Sequence, residues 1–225
     1  FKKILSDGNR FGVKIKYIEQ NTPKGLPDAF ILGEKFIGND NVSLILGDNF
    51  FYAQSLTAKL KESVKLNSGC KVFLHPVKRP ELYGVATIKN KKISQLIEKP
   101  KKTKSNLAVT GLYFFDNKVV KYSKSLRPSK RNELEIIELL KKYMVKKKLK
   151  AEYLGRGGAW LDTGSIDDFY DTSAFVSAIE TRQGLKIACL EEIAFNNKWI
   201  NKKQILQAIK FYGNCIYSKY LKDLL

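Results

Sequence analysis

A short apolar run at residues 42–46, VSLIL, ends abruptly at Gly47 and is followed directly by Asp48. Such a run is typical of a strand buried on both faces of a sheet. The next helical pattern begins only at Ser55, so Asp48 lies too early in the chain to cap that helix. Ligands of open α/β sheets bind beyond the carboxyl ends of strands. We therefore expect Asp48 to bind a ligand or a metal ion.

Strand-like and helix-like segments alternate around this run, and hairpins follow. Strands are predicted at 13–18, 42–47, 71–77, 83–88, 93–99, 110–116 and 149–155, with a hairpin turn at 89–92. Helices are predicted at 28–38, 55–66, 132–148, 165–183, 201–211 and 215–225, with Ser165 as an N-cap. The pattern predicts the α/β class, with a mixed, mostly parallel sheet flanked by helices. We expect one domain at 1–183 and a helical C-terminal annex at 184–225.

The net charge of +19 comes mainly from lysine, which outnumbers arginine 35 to 6 and is spread along the whole chain. Nucleic-acid-binding proteins usually depend on arginine for bidentate and stacking contacts, so we expect no nucleic-acid partner. The sequence has neither a run of about 20 apolar residues nor a signal-peptide pattern, so no membrane association is expected. The cysteines Cys70, Cys189 and Cys215 are widely spaced, which suits a reducing cytoplasm.

A second carboxylate, Asp162, also follows an apolar run, in the segment AWLDTGS at 159–165. Asp before Thr-Gly often forms a turn, so a purely structural role stays open. Two carboxylates about 4 Å apart would repel each other by roughly 4 kcal/mol at an effective dielectric constant of 20. A divalent cation would remove that repulsion, and oxygen ligands suit Mg²⁺, which often binds substrate phosphates as well. Whether Asp48 and Asp162 meet cannot be read from their spacing.

Seven segments in a fixed order resemble the sugar nucleotidylyltransferases, and most closely the glucose-1-phosphate thymidylyltransferases. They are EQNTPKGLPDAF (19–30), LILGDNFFY (44–52), RPELYGVA (79–86), EKPKKTKSNLAVTGLYFFD (98–116), RNELEI (131–136), AWLDTGS (159–165) and IETRQGLKIACLEEIAF (179–195). The resemblance implies a Rossmann-like nucleotidyltransferase fold. It also implies a reaction in which a sugar 1-phosphate attacks the α-phosphorus of a nucleoside triphosphate and pyrophosphate leaves. The last segment favours dTTP and glucose 1-phosphate as substrates.

The resemblance assigns a role to each matching residue. It implies Mg²⁺ as the cofactor, held by Asp48 and Asp162, and a catalytic set of Asp48, Asp162 and Arg131. The implied nucleotide-binding residues are Gln20, Gly25, Asp48 and Asn49. The implied sugar-phosphate-binding residues are Tyr83, Gly84, Glu98, Lys99, Val109 and Arg131. The residue types fit these roles, because a glutamate accepts hydrogen bonds from sugar hydroxyls while lysine and arginine neutralise phosphate.

The chain also departs from the family pattern. The family opens with a strand and a Gly-rich loop of the type G-G-x-G-T-R, followed by a catalytic lysine, and these 225 residues contain no such segment. We expect an N-terminally truncated piece that lacks the first strands of the fold and does not catalyse the reaction by itself. Asn132 stands where the family usually has Gly, in the loop that presents Arg131.

Several alternatives remain open from the sequence. The chain could act on another nucleoside triphosphate or another sugar 1-phosphate, or it could be a non-catalytic nucleotide-sugar-binding relative. A lysine-rich nucleic-acid binder is the weakest alternative, and a steep salt dependence of binding would reveal it. By resemblance, the full-length protein is expected to be a cytoplasmic homotetramer that makes dTDP-glucose for deoxysugar (dTDP-rhamnose type) and surface-polysaccharide biosynthesis.

Overall fold

The computed structural model of the chain describes all residues from 1 to 225. The strands are β1 (Val42–Ile45), β2 (Asn49–Tyr52), β3 (Cys70–Pro76), β4 (Gly84–Lys89), β5 (Lys92–Glu98), β6 (Leu107–Phe115), β7 (Leu149–Tyr153) and β8 (Ala159–Asp162). The helices are α1 (Lys2–Leu5), α2 (Asp28–Leu32), α3 (Glu34–Ile37), α4 (Leu56–Ser63), α5 (Lys118–Lys124), α6 (Ile136–Val145), α7 (Ile166–Gln183), α8 (Leu190–Asn196), α9 (Lys202–Tyr212) and α10 (Ile216–Asp223). The predicted α/β class is confirmed.

The main sheet has six strands in the order β5-β4-β6-β3-β7, with β1 also paired to β6. Only β3 and β7 run parallel, whereas the other four pairings are antiparallel. The sheet is therefore mixed, as expected, but the expectation of a mostly parallel sheet was wrong. The reason lies partly in short connections, since the two-residue turn between β4 and β5 can only join antiparallel strands. That turn is the predicted hairpin, with Asn90 and Lys91 in left-handed conformation at φ 51° and 61°.

Strands β3 and β6 place apolar side chains on both faces of the sheet. Val72 and Leu74 belong to one buried cluster and the intervening Phe73 to another. Because successive side chains of a strand point to opposite faces, the sheet has an apolar surface on each side. Residues of α2, α5 and α6 cover the first face, and Trp160 of β8 belongs to the cluster on the second.

Two compact units make up the chain. The larger one, Glu19–Thr172, contains the main sheet, the two-stranded sheet β2-β8 and the residues predicted to bind ligands. The smaller one consists of Phe1–Ile18 and Ser173–Leu225 and is helical, with a core of Cys189, Ala194, Ile200, Ile205, Ala208 and Leu221. This division of the contacts lies near residue 172, not at the expected boundary of 183/184. A catalytic domain at 1–183 followed by an annex at 184–225 stays a prediction.

Local predictions failed where tertiary pairing decides the structure. Residues 13–18 alternate like a strand but pair with none. Their backbone bonds run instead from Val13 N to Gly8 O at 3.2 Å and from Ile15 N to Asp7 O at 2.8 Å. Strand β1 is not buried on both faces, because Val42 and Leu44 are half-buried while Ser43 and Ile45 on the other face are exposed, Ile45 to 59%. The helix predicted at 28–38 is divided at Gly33 into α2 and α3. Helices α5 and α8 and strands β2 and β8 were not predicted.

No helix combines the length and the apolar character that a membrane-spanning segment requires.

Candidate active site

The two carboxylates singled out in the sequence lie at neighbouring ends of the two-stranded sheet. Asp48 immediately precedes β2, and Asp162 is the last residue of β8. Asn49 pairs with Asp162 in the antiparallel register. The backbone carbonyl of Asp48 accepts hydrogen bonds from Thr163 N at 2.7 Å and from Thr163 Oγ1 at 2.8 Å. Residues more than a hundred positions apart in sequence are thus held side by side.

The electrostatics of this pair favour a cation. Burial raises the pKa of Asp162, and the negative charge of Asp48 raises it further, partly offset by a hydrogen bond from Gly164 N. No group of three or more His, Cys, Asp or Glu side chains is arranged to hold a metal ion by itself. A cation at Asp48 and Asp162 would therefore need further ligands, such as phosphate oxygens or water. Two carboxylates with such ligands are the oxygen donor set that Mg²⁺ prefers, so the residues fit the implied metal.

A cavity of about 270 Å³ opens next to Asp162. All six residues assigned to the sugar phosphate line it together. Of the residues named from the sequence, the lining includes Asn49, Tyr83, Gly84, Glu98, Lys99, Val109, Arg131 and Asp162. The structure thus brings together one carboxylate of the pair, two cationic side chains and a partly buried glutamate.

The β4-β5 hairpin positions Glu98 and Lys99. Gly84 pairs with Glu98 across the hairpin, and a Cβ atom at Gly84 would lie 3.4 Å from Glu98 Oε2 and 2.6 Å from Ile137 Cδ1. The lack of a side chain at Gly84 therefore keeps the space beside the Glu98 carboxylate open. The chain turns at Lys99, whose φ is 39° and whose N–H donates to Tyr83 O at 3.1 Å. Burial raises the pKa of Glu98, Glu135 adds to the rise, and Arg131 and Lys99 oppose it.

Arg131 is held at the cavity by glutamates. Its Nε and Nη2 atoms donate to the two carboxylate oxygens of Glu135 at 3.2 and 2.8 Å. Nη2 also lies 3.6 Å from Glu98 Oε1. The hydrogen bond to Glu135 is the main reason why the pKa of Arg131 lies above its ordinary value. The guanidinium therefore stays charged at the wall of the cavity.

Asn49 was expected to bind nucleotide, but its amide already has several protein partners. Its Oδ1 accepts from Trp160 Nε1 at 2.7 Å and from Gly111 N at 3.1 Å. Its Nδ2 donates to Asp48 Oδ1 at 2.8 Å. Asn49 thus ties the carboxylate of Asp48 to β6 and β8. A nucleotide contact of Asn49 stays a prediction.

The residues expected near the nucleotide base, Gln20 and Gly25, do not line the cavity. Gln20 Nε2 donates to Asp28 Oδ2 at 2.7 Å, which anchors the start of the loop. Gly25 has a φ of +94°, and a Cβ atom there would lie 2.1 Å from Leu134 O. Since Leu134 N also donates to Lys24 O at 2.8 Å, this loop is fastened to the segment that carries Arg131.

Sequence reasoning missed several residues of this site. Glu133 and Glu135 both line the cavity, and both belong to the RNELEI segment. The spacing of Arg131 and Glu135, four residues apart with opposite charges, was a signal for their pairing. Trp160 lines the cavity as well, and its ring packs edge-on against Tyr83 with a centroid distance of 5.0 Å. An apolar Trp in the run before Asp162 gave no reason to expect that contact.

Comparisons with known proteins identify the family of the chain. The nucleotidyl transferase family model matches residues 1–179. The chain is 46% identical over 226 residues to a glucose-1-phosphate thymidylyltransferase of Neisseria meningitidis serogroup A, which covers all of this chain and 78% of the relative. It is 43% identical over 226 residues to the enzyme of that name from Mycolicibacterium smegmatis, again covering all of this chain and 78% of the relative.

Solved structures give the same result. One is a crystal structure named as a glucose-1-phosphate thymidylyltransferase from Bacillus anthracis in complex with a sucrose. It matches with a TM-score of 0.70 and 38% identity, covering 77% of this chain and 70% of that one. A UDP-glucose pyrophosphorylase complexed with UDP-glucose matches with a TM-score of 0.62 and 26% identity over 71% of this chain and 64% of that one. The chain therefore belongs to the nucleotidyl transferase family of enzymes, among the glucose-1-phosphate thymidylyltransferases.

Proposed function

We propose that this protein serves the transfer of a thymidylyl group from dTTP to glucose 1-phosphate, giving dTDP-glucose and pyrophosphate. The observation that carries the proposal is the cavity in which Glu98, Lys99 and Arg131 converge beside Asp162. Its charges suit a ligand with hydroxyl groups at one end and phosphate at the other. The names of the similar proteins support the choice of substrates.

The chemistry asks mainly for positioning and charge neutralisation. A phosphate oxygen of glucose 1-phosphate forms a bond to the α-phosphorus of dTTP, while the bond from that phosphorus to the pyrophosphate oxygen breaks. Glu98 accepts hydrogen bonds from the sugar hydroxyls, and Lys99 and Arg131 neutralise the phosphate of the sugar. Mg²⁺ held by Asp48 and Asp162 would offset charge on the phosphates when bound.

Burial matters for Glu98 in this role. Because its pKa is raised, Glu98 takes up a proton more readily than an exposed glutamate. Arg131 and Lys99 counteract that tendency, so the two cations that hold the phosphate also help keep the sugar-binding carboxylate ionised.

A binding experiment tests the proposal. The chain is titrated with dTDP-glucose, UDP-glucose and ADP-glucose in an isothermal titration calorimeter, with and without Mg²⁺. We expect dTDP-glucose to bind most tightly and Glu98→Gln to weaken it about tenfold or more, since a charged hydrogen bond contributes about 1.5–3 kcal/mol. Binding, rather than turnover, is the readout because the family's Gly-rich loop does not occur in these 225 residues.

The same titration separates the alternatives. A UDP-glucose pyrophosphorylase has a similar fold, so tighter binding of UDP-glucose would replace thymidylyl with uridylyl transfer. Failure to bind any of the three nucleotide sugars would contradict the proposal altogether. The expected homotetramer, the cytoplasmic location, the role in dTDP-rhamnose biosynthesis and the inactivity of residues 1–225 stay predictions.

A further inference from the structure

The carboxylate of Glu135 occupies one edge of the Arg131 guanidinium. Its two oxygens accept from Nε and Nη2 at 3.2 and 2.8 Å. A guanidinium can pair with an anion along a second edge, formed by Nη1 and Nη2. The bonds to Glu135 therefore leave the Nη1 donors for a ligand, while they restrain the orientation of the whole group.

Glu135 is itself held in place. Its side chain is only 12% exposed, compared with 47% for Arg131. Ser129 Oγ donates to Glu135 Oε1 at 2.6 Å, and Ser129 Oγ also accepts from Arg131 N at 3.1 Å. Burial alone would raise the pKa of Glu135, but the hydrogen bonds from Ser129 and Arg131 lower it below its ordinary value. The carboxylate is thus ionised and is held in place by hydrogen bonds from both Ser129 and Arg131.

The backbone of this loop is restrained by the same network. Ser129 N donates to Glu133 O at 2.8 Å, and Asn132 N donates to Ser129 O at 2.9 Å. Asn132 has a φ of 61°, a left-handed conformation that asparagine tolerates better than most residues. Residues 129 to 133 therefore form a tight turn. Glu135 is the N-cap residue of α6 but makes no side-chain capping bond, so capping does not compete for its carboxylate.

We propose that Glu135, fixed by Ser129, is a positioning residue that aims the Arg131 guanidinium at the phosphate of a sugar 1-phosphate in the cavity. This inference rests on the proposed function, since it takes the phosphate as the ligand of Arg131. Glu135 does not touch the substrate in this proposal, and its effect passes through Arg131.

Positioning and charge repulsion predict opposite effects on phosphate binding when Glu135 is removed. Glu135 is negative and lies close to the bound phosphate, so its removal alone should tighten anion binding. Loss of positioning should weaken it instead, because the free guanidinium must be ordered when the ligand binds. Glu133 provides a matched control, because it lines the same cavity two residues earlier while the side-chain hydrogen bonds of Arg131 go to Glu135.

The test is a double-mutant cycle with glucose 1-phosphate as the titrated ligand. We expect Glu135→Gln to raise the Kd about tenfold, the effect of one charge-assisted interaction. The same change in an Arg131→Gln background should raise it less than about twofold, because the residue acts through Arg131. Glu133→Gln should leave the Kd unchanged or lower it, and Ser129→Ala should raise it about threefold.

Several results would overturn the inference. One is tighter binding of glucose 1-phosphate by Glu135→Gln. Another is an equal loss of binding on Glu135→Gln with Arg131 present and with it replaced. A third is a loss in the Glu133→Gln control equal to that of Glu135→Gln. If Glu135→Gln does not fold, as judged by circular dichroism, Ser129→Ala and Glu135→Asp carry the same cycle. If the unsubstituted chain does not bind glucose 1-phosphate, the proposed function fails together with the inference. If it binds and only Arg131→Gln weakens it, the inference alone fails.

Discussion

Asn49 lies directly opposite Asp162 in the antiparallel pair of β2 and β8, and this pairing places the carboxylate of Asp48 next to that of Asp162. The two negative charges repel each other, and a bound cation would reduce that repulsion. Burial and Asp48 together raise the pKa of Asp162. In the absence of metal, the contribution of Asp162 to stability is present below its ordinary pKa and is lost as the pH rises through the raised value.

The first prediction concerns this carboxylate pair. Asp162→Asn should remove the repulsion and slightly stabilise the metal-free chain at pH 7. The same variant should lose the stabilisation by Mg²⁺, which for the unsubstituted chain is about 1.4 kcal/mol at a concentration ten times the Kd. Differential scanning fluorimetry over a Mg²⁺ series measures both effects. The stabilisation of the unsubstituted chain should also fade as the pH falls through the raised pKa, since protons compete with the cation.

Asp167→Asn is the control for this pair, since Asp167 lies in the first turn of α7 and carries the same charge. It should retain the response to Mg²⁺. An undiminished response of Asp162→Asn would exclude Asp162 as a ligand of the cation.

The second prediction concerns the pH dependence of the Arg131 cluster. Burial first, and then Glu135, raise the pKa of Glu98, whereas Arg131 lowers it, so Arg131→Gln should raise it further. The contribution of neutral Glu98 to stability is lost as the pH rises through that raised pKa. Glu135, whose pKa is lowered, contributes stability above its ordinary pKa that disappears as the pH falls.

The effects on Glu98 and on Glu135 both make Arg131→Gln more destabilising at pH 7 than at pH 4. Its cost in the free energy of unfolding should be about 1 kcal/mol at pH 7 and should shrink towards zero near pH 4. Urea unfolding at the two pH values measures it, with Arg127→Gln, an exposed arginine outside this cavity, as the control. A cost that does not change with pH would show that the ion pairs do not stabilise the fold.

The third prediction tests the loop that fastens Gly25 to Leu134. Gly25→Ala would place a Cβ atom 2.1 Å from Leu134 O, at a residue with a φ of +94°. Both effects are unfavourable, and the left-handed conformation alone costs about 1–2 kcal/mol. We expect a loss of at least that size in urea unfolding. Gly157→Ala is the matched control, because no atom lies within 4 Å of its Cβ position, and an equal loss there would contradict the steric argument.

The sequence predicted the individual residues of the site better than it predicted which of them lie close together. Asp48 and Asp162 were each recognisable as carboxylates that follow apolar runs, and the hairpin that carries Glu98 followed from its turn residues. Their pairing depends on the register of β2 against β8, which joins segments more than a hundred residues apart. No local pattern encodes such a register, just as the alternation at 13–18 could not supply a partner strand.

Burial was misjudged for the same physical reason. The run at 42–46 has the composition of a central strand, but β1 has a neighbour on one side only, and Ile45 is largely exposed. Composition reports how apolar a strand is, whereas the elements packed on each face of the sheet decide which of its side chains are covered. The pairing of Arg131 with Glu135 could have been anticipated from their spacing, although Arg131 lies before α6 begins at Ile136.

The fourth prediction tests Asn49 as the link between Asp48 and the sheets. Asn49→Ala leaves Trp160 Nε1 and Gly111 N without their acceptor, Asn49 Oδ1. Each buried donor that loses its partner costs about 1–3 kcal/mol, so we expect a total of at least 2 kcal/mol. Urea unfolding measures the loss, and a change in tryptophan fluorescence should accompany it. Asn117→Ala, which removes an exposed amide bonded to Asn39 O, should cost much less. Equal costs would contradict the linking role of Asn49.

The last prediction concerns the helical unit, where Glu191 is completely buried. Its carboxylate accepts from Tyr212 OH at 2.8 Å and from Tyr217 OH at 2.6 Å. Tyr217→Phe removes one of these two donors from a buried acid, so it should cost about 1–3 kcal/mol in the free energy of unfolding. Tyr220→Phe is the matched control, because Tyr220 makes a similar bond to Glu192 but lies partly exposed. Since burial and Glu191 raise the pKa of Tyr212 to about 12, its phenol stays protonated as a donor through neutral pH. If Tyr217→Phe costs no more than Tyr220→Phe, the two phenols are not what compensates the burial of Glu191.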